Sequence, residues 1–156
     1  MGCIITSVNH GVGSSALFMF LGFLYDRTHT RHIPDLGGIA HRMPYLTVAF
    51  VLAGLGSLGL PGTSGFVSEL LVFFGSFKAF PWVTVFGAFG IVLAAGYILW
   101  MVERVLFGPE RIRFASIKDV SLVEAVPLGL LAASIVVIGV YPGVLIDVFR
   151  SGIEPI

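Results

Sequence analysis

One carboxylate in this sequence stands where charge is costly. Glu69 lies in Phe66-Val67-Ser68-Glu69-Leu70-Leu71-Val72-Phe73-Phe74, and the nearest charged residue is Lys78. Nine helical residues put it ~13 Å below Lys78, near mid-membrane if the run spans a bilayer. An ionised carboxylate at that depth costs several kcal/mol, so the group must be protonated, paired or facing water. The chemistry it suits is the uptake and release of a proton. The alternative is a neutral Glu69 satisfied by opened backbone nearby.

His10 is the second candidate. It stands sixteen residues before Asp26, ~24 Å from that polar boundary in a helix and so in the opposite half of the membrane. Its neighbours Asn9, Gly11, Gly13, Ser14 and Ser15 are small and partly polar, which suits close helix packing or ordered water. Imidazole gains and loses a proton near neutral pH, so a proton leaving Glu69 could pass His10 on its way outward. A histidine hydrogen-bonded within a packed interface fits the same residues. His29, His32 and His41 lie in a polar stretch with Asp26, Arg27, Arg31 and Asp35. Two closely spaced histidines without a third ligand make a weak metal signal, and a solvated loop docking on a partner is the expectation.

Other chemistries find no support. Cys3 is the one cysteine, so neither a disulfide framework nor a Cys-based zinc site is available. Gly54-Leu55-Gly56-Ser57-Leu58-Gly59 fits the G-x-G-x-x-G pattern but has no preceding strand, so it reads as a helix-packing face. The pattern at Met1-Gly2-Cys3-Ile4-Ile5-Thr6 fits myristoylation, from which a chain already crossing the membrane gains little. No nucleophile–base–acid set, phosphate loop or haem signature is visible.

The elements that must position Glu69 and His10 follow from composition. Of 156 residues, 56% are hydrophobic and 12% charged, and the mean hydropathy is +0.98. A soluble fold of this size cannot hide so much apolar surface. Nine Lys+Arg balance nine Asp+Glu, which leaves no basic footprint for nucleic acid. The expected class is an all-α polytopic membrane protein, a single membrane domain over residues 1–156 with the lipid bilayer as partner.

Four apolar stretches are long enough to span, at 4–25, 44–77, 82–107 and 122–141. The second, at ~51 Å if straight, is too long for one span. Its middle, Gly59-Leu60-Pro61-Gly62-Thr63-Ser64-Gly65, predicts two half-helices broken at Pro61 and Gly62, an arrangement tolerated in a bilayer only where protein or water covers the backbone. A plain proline kink is the alternative. Seven Lys/Arg fall in the stretches 26–42 and 104–118 against Lys78 and Arg150 elsewhere. That bias puts the loops 26–42 and 108–121 in the cytoplasm and both termini outside the cell membrane. No cleavable signal peptide is expected. Glu103, Arg104 and Glu124 sit at helix ends, where side chains reach toward the interface.

In order along the chain, His10-Gly11, Ala16-Leu17-Phe18, Gly22, Tyr25-Asp26-Arg27-Thr28-His29-Thr30-Arg31, Gly37-Gly38-Ile39, Met43-Pro44 and Leu58 to Glu69 resemble chain M of NADH-quinone oxidoreductase. That is a proton-pumping, antiporter-like membrane-subunit family of respiratory complex I. The resemblance runs from about His10 to Pro142, and Ser68 stands where many relatives have Gly. It implies an all-helical fold of about fourteen membrane helices, built around broken helices, of which this sequence resembles the last four. It places a functional glutamate at Glu69 and an exit-path histidine at His10. It also implies no cofactor in this chain, with NAD, flavin, iron–sulfur clusters and quinone held by partner subunits. The buried lysines and first glutamate of the inward half-channel are expected from a missing N-terminal part or separate polypeptide, unless the chain is a truncated product. A related cation/proton antiporter, a membrane-bound hydrogenase subunit and a non-pumping structural fragment are the alternatives.

Overall fold

The computed structural model describes residues 2–153. The extreme ends, on which the expected outward termini and part of the Met1–Thr6 pattern fall, lie outside the described residues. Every regular element among those described is helical: α1 (Gly2–Thr28), α2 (Ile39–Arg42), α3 (Pro44–Ser57), α4 (Ser64–Ala79), α5 (Pro81–Leu106), α6 (Leu122–Val140) and α7 (Gly143–Ile153), with short 3-10 turns at Ile33–Asp35 and Ile112–Phe114. Three of them, α1, α5 and α6, are long and apolar enough to cross a membrane, and α3 is a shorter apolar helix. Thus three spans follow from length and composition, where four were expected. The stretch 44–77, expected as one broken span, is divided between α3 and α4.

The division is built from two local motifs rather than from a proline kink. Gly59 takes φ +67, its N–H bonds to Gly56 O at 3.3 Å, and the Leu60 N–H bonds to Leu55 O at 3.1 Å. This paired pattern, with a left-handed glycine just past the last turn, closes α3 and satisfies its final carbonyls. Pro61 and Gly62 then form the centre of a turn. Gly62 has φ +93 and the Thr63 N–H reaches Leu60 O at 3.0 Å, the type II geometry that favours Pro followed by Gly. Helix α4 restarts at Ser64.

At the far end of α3, Pro44 occupies the first turn, where its missing N–H costs nothing. The next two N–H groups, of Tyr45 and Leu46, donate to the Asp119 carboxylate at 2.7 and 3.3 Å. Asp119 therefore caps α3 from a loop more than seventy positions away in sequence. Asp119→Ala is expected to destabilise the protein by about 1–2 kcal/mol, the usual loss for a removed cap, read as a lower midpoint of thermal unfolding in detergent.

The stretch 26–42 is bound to the chain's own 108–121 segment. Arg111 donates to Pro34 O at 2.9 Å, Arg113 to Thr28 O at 3.1 Å, and Arg27 to Lys118 O at 2.9 Å. Arg27 also pairs with Glu124 at 2.7 Å, while the Glu124 carboxylate accepts from the Ser121 N–H at 2.7 Å, completing a capping box at the start of α6. The charges expected simply to reach for the interface are here partly a tie: Glu124 joins α1 to α6. Beneath this cap lies the main core, with Phe20, Leu24, Ile39, Met43, Leu46, Phe50 and Leu106 buried together. A smaller cluster of Ala16, Ala53 and Ile135 continues it.

Much of α5 is uncovered. Trp82, Phe86, Phe89 and Tyr97 are all exposed, a distribution suited to lipid or further helices and unlike that of a soluble surface. The eleven-residue α7 was not expected from the sequence.

Candidate functional site

Glu69 stands on the second turn of α4, half-buried, with its carboxyl turned back onto the end of α3. A Cβ built on Gly59 would meet the Glu69 Cδ at 3.1 Å and would overlap its Oε2. The carboxyl thus fills the room that a side chain at 59 would need, and the glycine that closes α3 is also the floor of the site. Among the described residues Glu69 has no hydrogen-bond or ion-pair partner. The carbonyls that close α3 are engaged by the N–H groups of residues 58–60, and no N–H or O–H of the broken segment bonds to Glu69.

Two cavities reach the carboxyl. A separate cavity of about 370 Å³ lies between α1, α3 and α5 and does not touch Glu69. Of the two that do, the first holds about 300 Å³ and is lined by Phe66, Leu70 and Phe74. The second holds about 250 Å³ and runs past Ser57 along Gly87, Gly90 and Ala94 of α5. Each has room for water beside a polar group that lacks any protein partner.

The break itself is held from three sides. A Cβ on Gly65 would overlap the Gly56 carbonyl oxygen and would stand 3.3 Å from the Gly59 Cα. On α6, a Cβ on Gly139 would collide with the backbone of Gly62 and Thr63. From α1, Asn9 accepts a hydrogen bond from Ser64 Oγ through Oδ1 at 2.5 Å. Pro61 and Gly62 are themselves exposed, so the turn they make is clasped by its neighbours rather than swallowed.

His10 is not brought to Glu69. It is exposed on α1, its ring nitrogens 3.5 Å from Ser14 Oγ, and it lines neither cavity that Glu69 lines. The adjacent Asn9 is the α1 side chain that reaches the break. The sequence places Asn9 only as a neighbour of His10 and Gly59 and Gly65 only as glycines flanking Pro61, and gives no role to Gly139 or Asp119. A signal for Gly59 was present, since a glycine two residues before a proline is a common helix ending.

Residues 1–94 match the model of a family described as NADH:quinone oxidoreductase/Mrp antiporter, TM. The chain belongs to this family. Subunit M of NADH-quinone oxidoreductase from Rhodobacter capsulatus is 40% identical over 154 residues, covering 97% of this chain and 30% of that protein. The chain spans about 30% of the length of the curated relatives it matches. Among solved structures, respiratory complex I from Thermus thermophilus with bound NADH superposes with a TM-score of 0.87 at 30% identity, over 92% of this chain and 30% of the matched one. The Mrp complex from Dietzia sp. superposes at 0.80 with 17% identity over 94% of this chain and 35% of its own, a likeness of fold. The match over 1–94 contains Asn9, His10, the broken segment and Glu69, whereas Gly139 on α6 lies beyond it. It also contains the Tyr25–Arg31 motif, whose Arg27 holds the loops together.

Proposed function

We propose that this chain is the C-terminal segment of a chain M-like membrane subunit of a proton-translocating NADH:quinone oxidoreductase, and that it contributes the outward half of a proton path. The observation that carries the reading is the Glu69 carboxyl, unpaired, at a helix break within an apolar span and bordered by two cavities. Glu69 takes and releases the proton, Pro61 and Gly62 hold the break open, and His10 relays outward from the uncovered face of α1. Helices α3 and α4, ~21 and ~24 Å long by their residue counts, together serve as the fourth span.

The excess of Lys and Arg places the loops 26–42 and 108–121 on the cytoplasmic side of the cell membrane and both termini outside. This chain supplies proton handling and no redox chemistry. NAD, flavin, iron–sulfur clusters and quinone belong to partner subunits, and the inward half-channel to the part of the subunit that precedes this segment in the longer relatives. The test is NADH-driven acidification of inverted membrane vesicles in sodium-free buffer. Vesicles whose complex contains this chain acidify; failure to acidify while NADH is still oxidised overturns the reading. The family's description also covers Mrp antiporters, and transport that requires sodium and proceeds without NADH favours that second reading.

A further inference from the structure

We infer that the Phe73 ring is a gate that sets which of two cavities, each roomy enough for water, the Glu69 carboxyl exchanges its proton with. The inference rests on the reading of Glu69 as the proton carrier and adds the device that keeps its two sides apart. The cavities of about 300 and 250 Å³ have Leu58, Glu69, Phe73 and Ile91 in common. These four residues stand where the two cavities adjoin, and Glu69 is the one ionisable member among them.

Phe73 lies one helical turn beyond Glu69 on α4, so the two side chains are neighbours on one face. Across from the ring, α5 offers unfilled space. A Cβ on Gly87 would meet only the Phe73 Cε1, at 3.8 Å, and a Cβ on Gly90 would meet nothing within 4 Å. The ring therefore has room to swing toward α5 and to return. An apolar ring set across a narrow passage interrupts a chain of water, the same dewetting that closes hydrophobic gates in channels.

In the transfer, Glu69 carboxylate takes a proton from hydronium in one cavity, leaving water and a carboxyl O–H. That O–H then breaks toward water in the other cavity, forming hydronium and restoring the carboxylate. Without the ring, both cavities would address the carboxyl together, and protons would run down their gradient through it.

The test uses the assembled complex in sealed vesicles. Phe73→Ala is expected to speed the decay of an imposed pH gradient several-fold while NADH oxidation continues. Phe73→Trp, which keeps an aromatic ring in place, restores a tight membrane. Phe73→Ala combined with Glu69→Gln is tight again, because the leak runs through the carboxyl. Gly90→Leu provides an arm independent of position 73: it fills the space the ring swings into, so pumping is lost and the vesicles stay tight. A tight, normally pumping Phe73→Ala overturns the gate, as does a leak that survives Glu69→Gln or a Gly90→Leu complex that pumps at the parent rate. Normal pumping by Glu69→Gln alone overturns the underlying assignment instead, so the two failures are distinguishable.

Discussion

Glu69→Gln is expected to abolish the proposed proton translocation and to leave membrane insertion and assembly intact. Glutamine matches glutamate in shape and fills the same room over Gly59, but its amide neither binds nor releases a proton near neutral pH. Because the carboxyl has no protein partner among the described residues, the substitution strands no donor and breaks no ion pair. Its effect on stability is therefore expected to stay within about 0.5 kcal/mol, as for substitutions away from partnered groups. The measurement is the ratio of protons moved to NADH oxidised in sealed vesicles, set against the amount of assembled complex. Glu69→Asp keeps the carboxyl but withdraws it from Gly59 by one methylene, so partial pumping is expected. A Glu69→Gln complex with an unchanged ratio would remove Glu69 from the path.

The largest structural effect belongs to Gly65→Ala. The added methyl would occupy the position of the Gly56 carbonyl oxygen and would lie 3.2 Å from its carbon. Backbone cannot swing aside as the end of a side chain can, so α4 must move off α3. Overpacking commonly costs about 1–3 kcal/mol, and a clash with backbone belongs at or above the top of that range. The shift also lifts Glu69, one turn further along α4, from the glycine beneath it. Gly75→Ala on the same helix is the control. Its Cβ would meet nothing within 4 Å, so this change is neutral or gains up to about 1 kcal/mol from helix propensity. Thermal unfolding in detergent and the quantity of assembled protein in membranes separate the two variants.

The long spans were legible because apolar length is a direct consequence of bilayer thickness. Residues 82–107 were expected for the third stretch, and α5 runs over Pro81–Leu106. The division of the second stretch was legible from Pro61, yet the residue that ends α3 is Gly59. A proline announces that a helix cannot continue, whereas the cap that stops it depends on backbone bonds no composition displays. Helix α7 escaped because eleven residues carrying Asp147 and Arg150 are too short and too polar to read as a span. The choice between Asn9 and His10 was not legible either. Both are polar, they are adjacent, and only the placement of α4 against α1 shows which of them reaches the break. The pairing of Arg27 with Glu124 joins residues 97 positions apart, a separation across which charge alone names no partner.

The tie between the 26–42 and 108–124 segments has a mechanical consequence. The Arg27–Glu124 ion pair, the Asp119 cap on α3 and the larger core gather at that end of the bundle. At the other end α4 passes to α5 through Phe80 alone, and Phe74, Phe77, Phe80 and Trp82 are exposed. The bundle is a cantilever, clamped more firmly at the first end than at the second. Amide exchange is expected to be slowest at 43–50 and fastest at 74–84, since local opening follows the density of buried contacts. Glu69 lies between the two, at the neck of the beam. A small rocking of the clamp by a neighbouring subunit would arrive there as a change in the spacing of α4 and α5, with the seal below still shut.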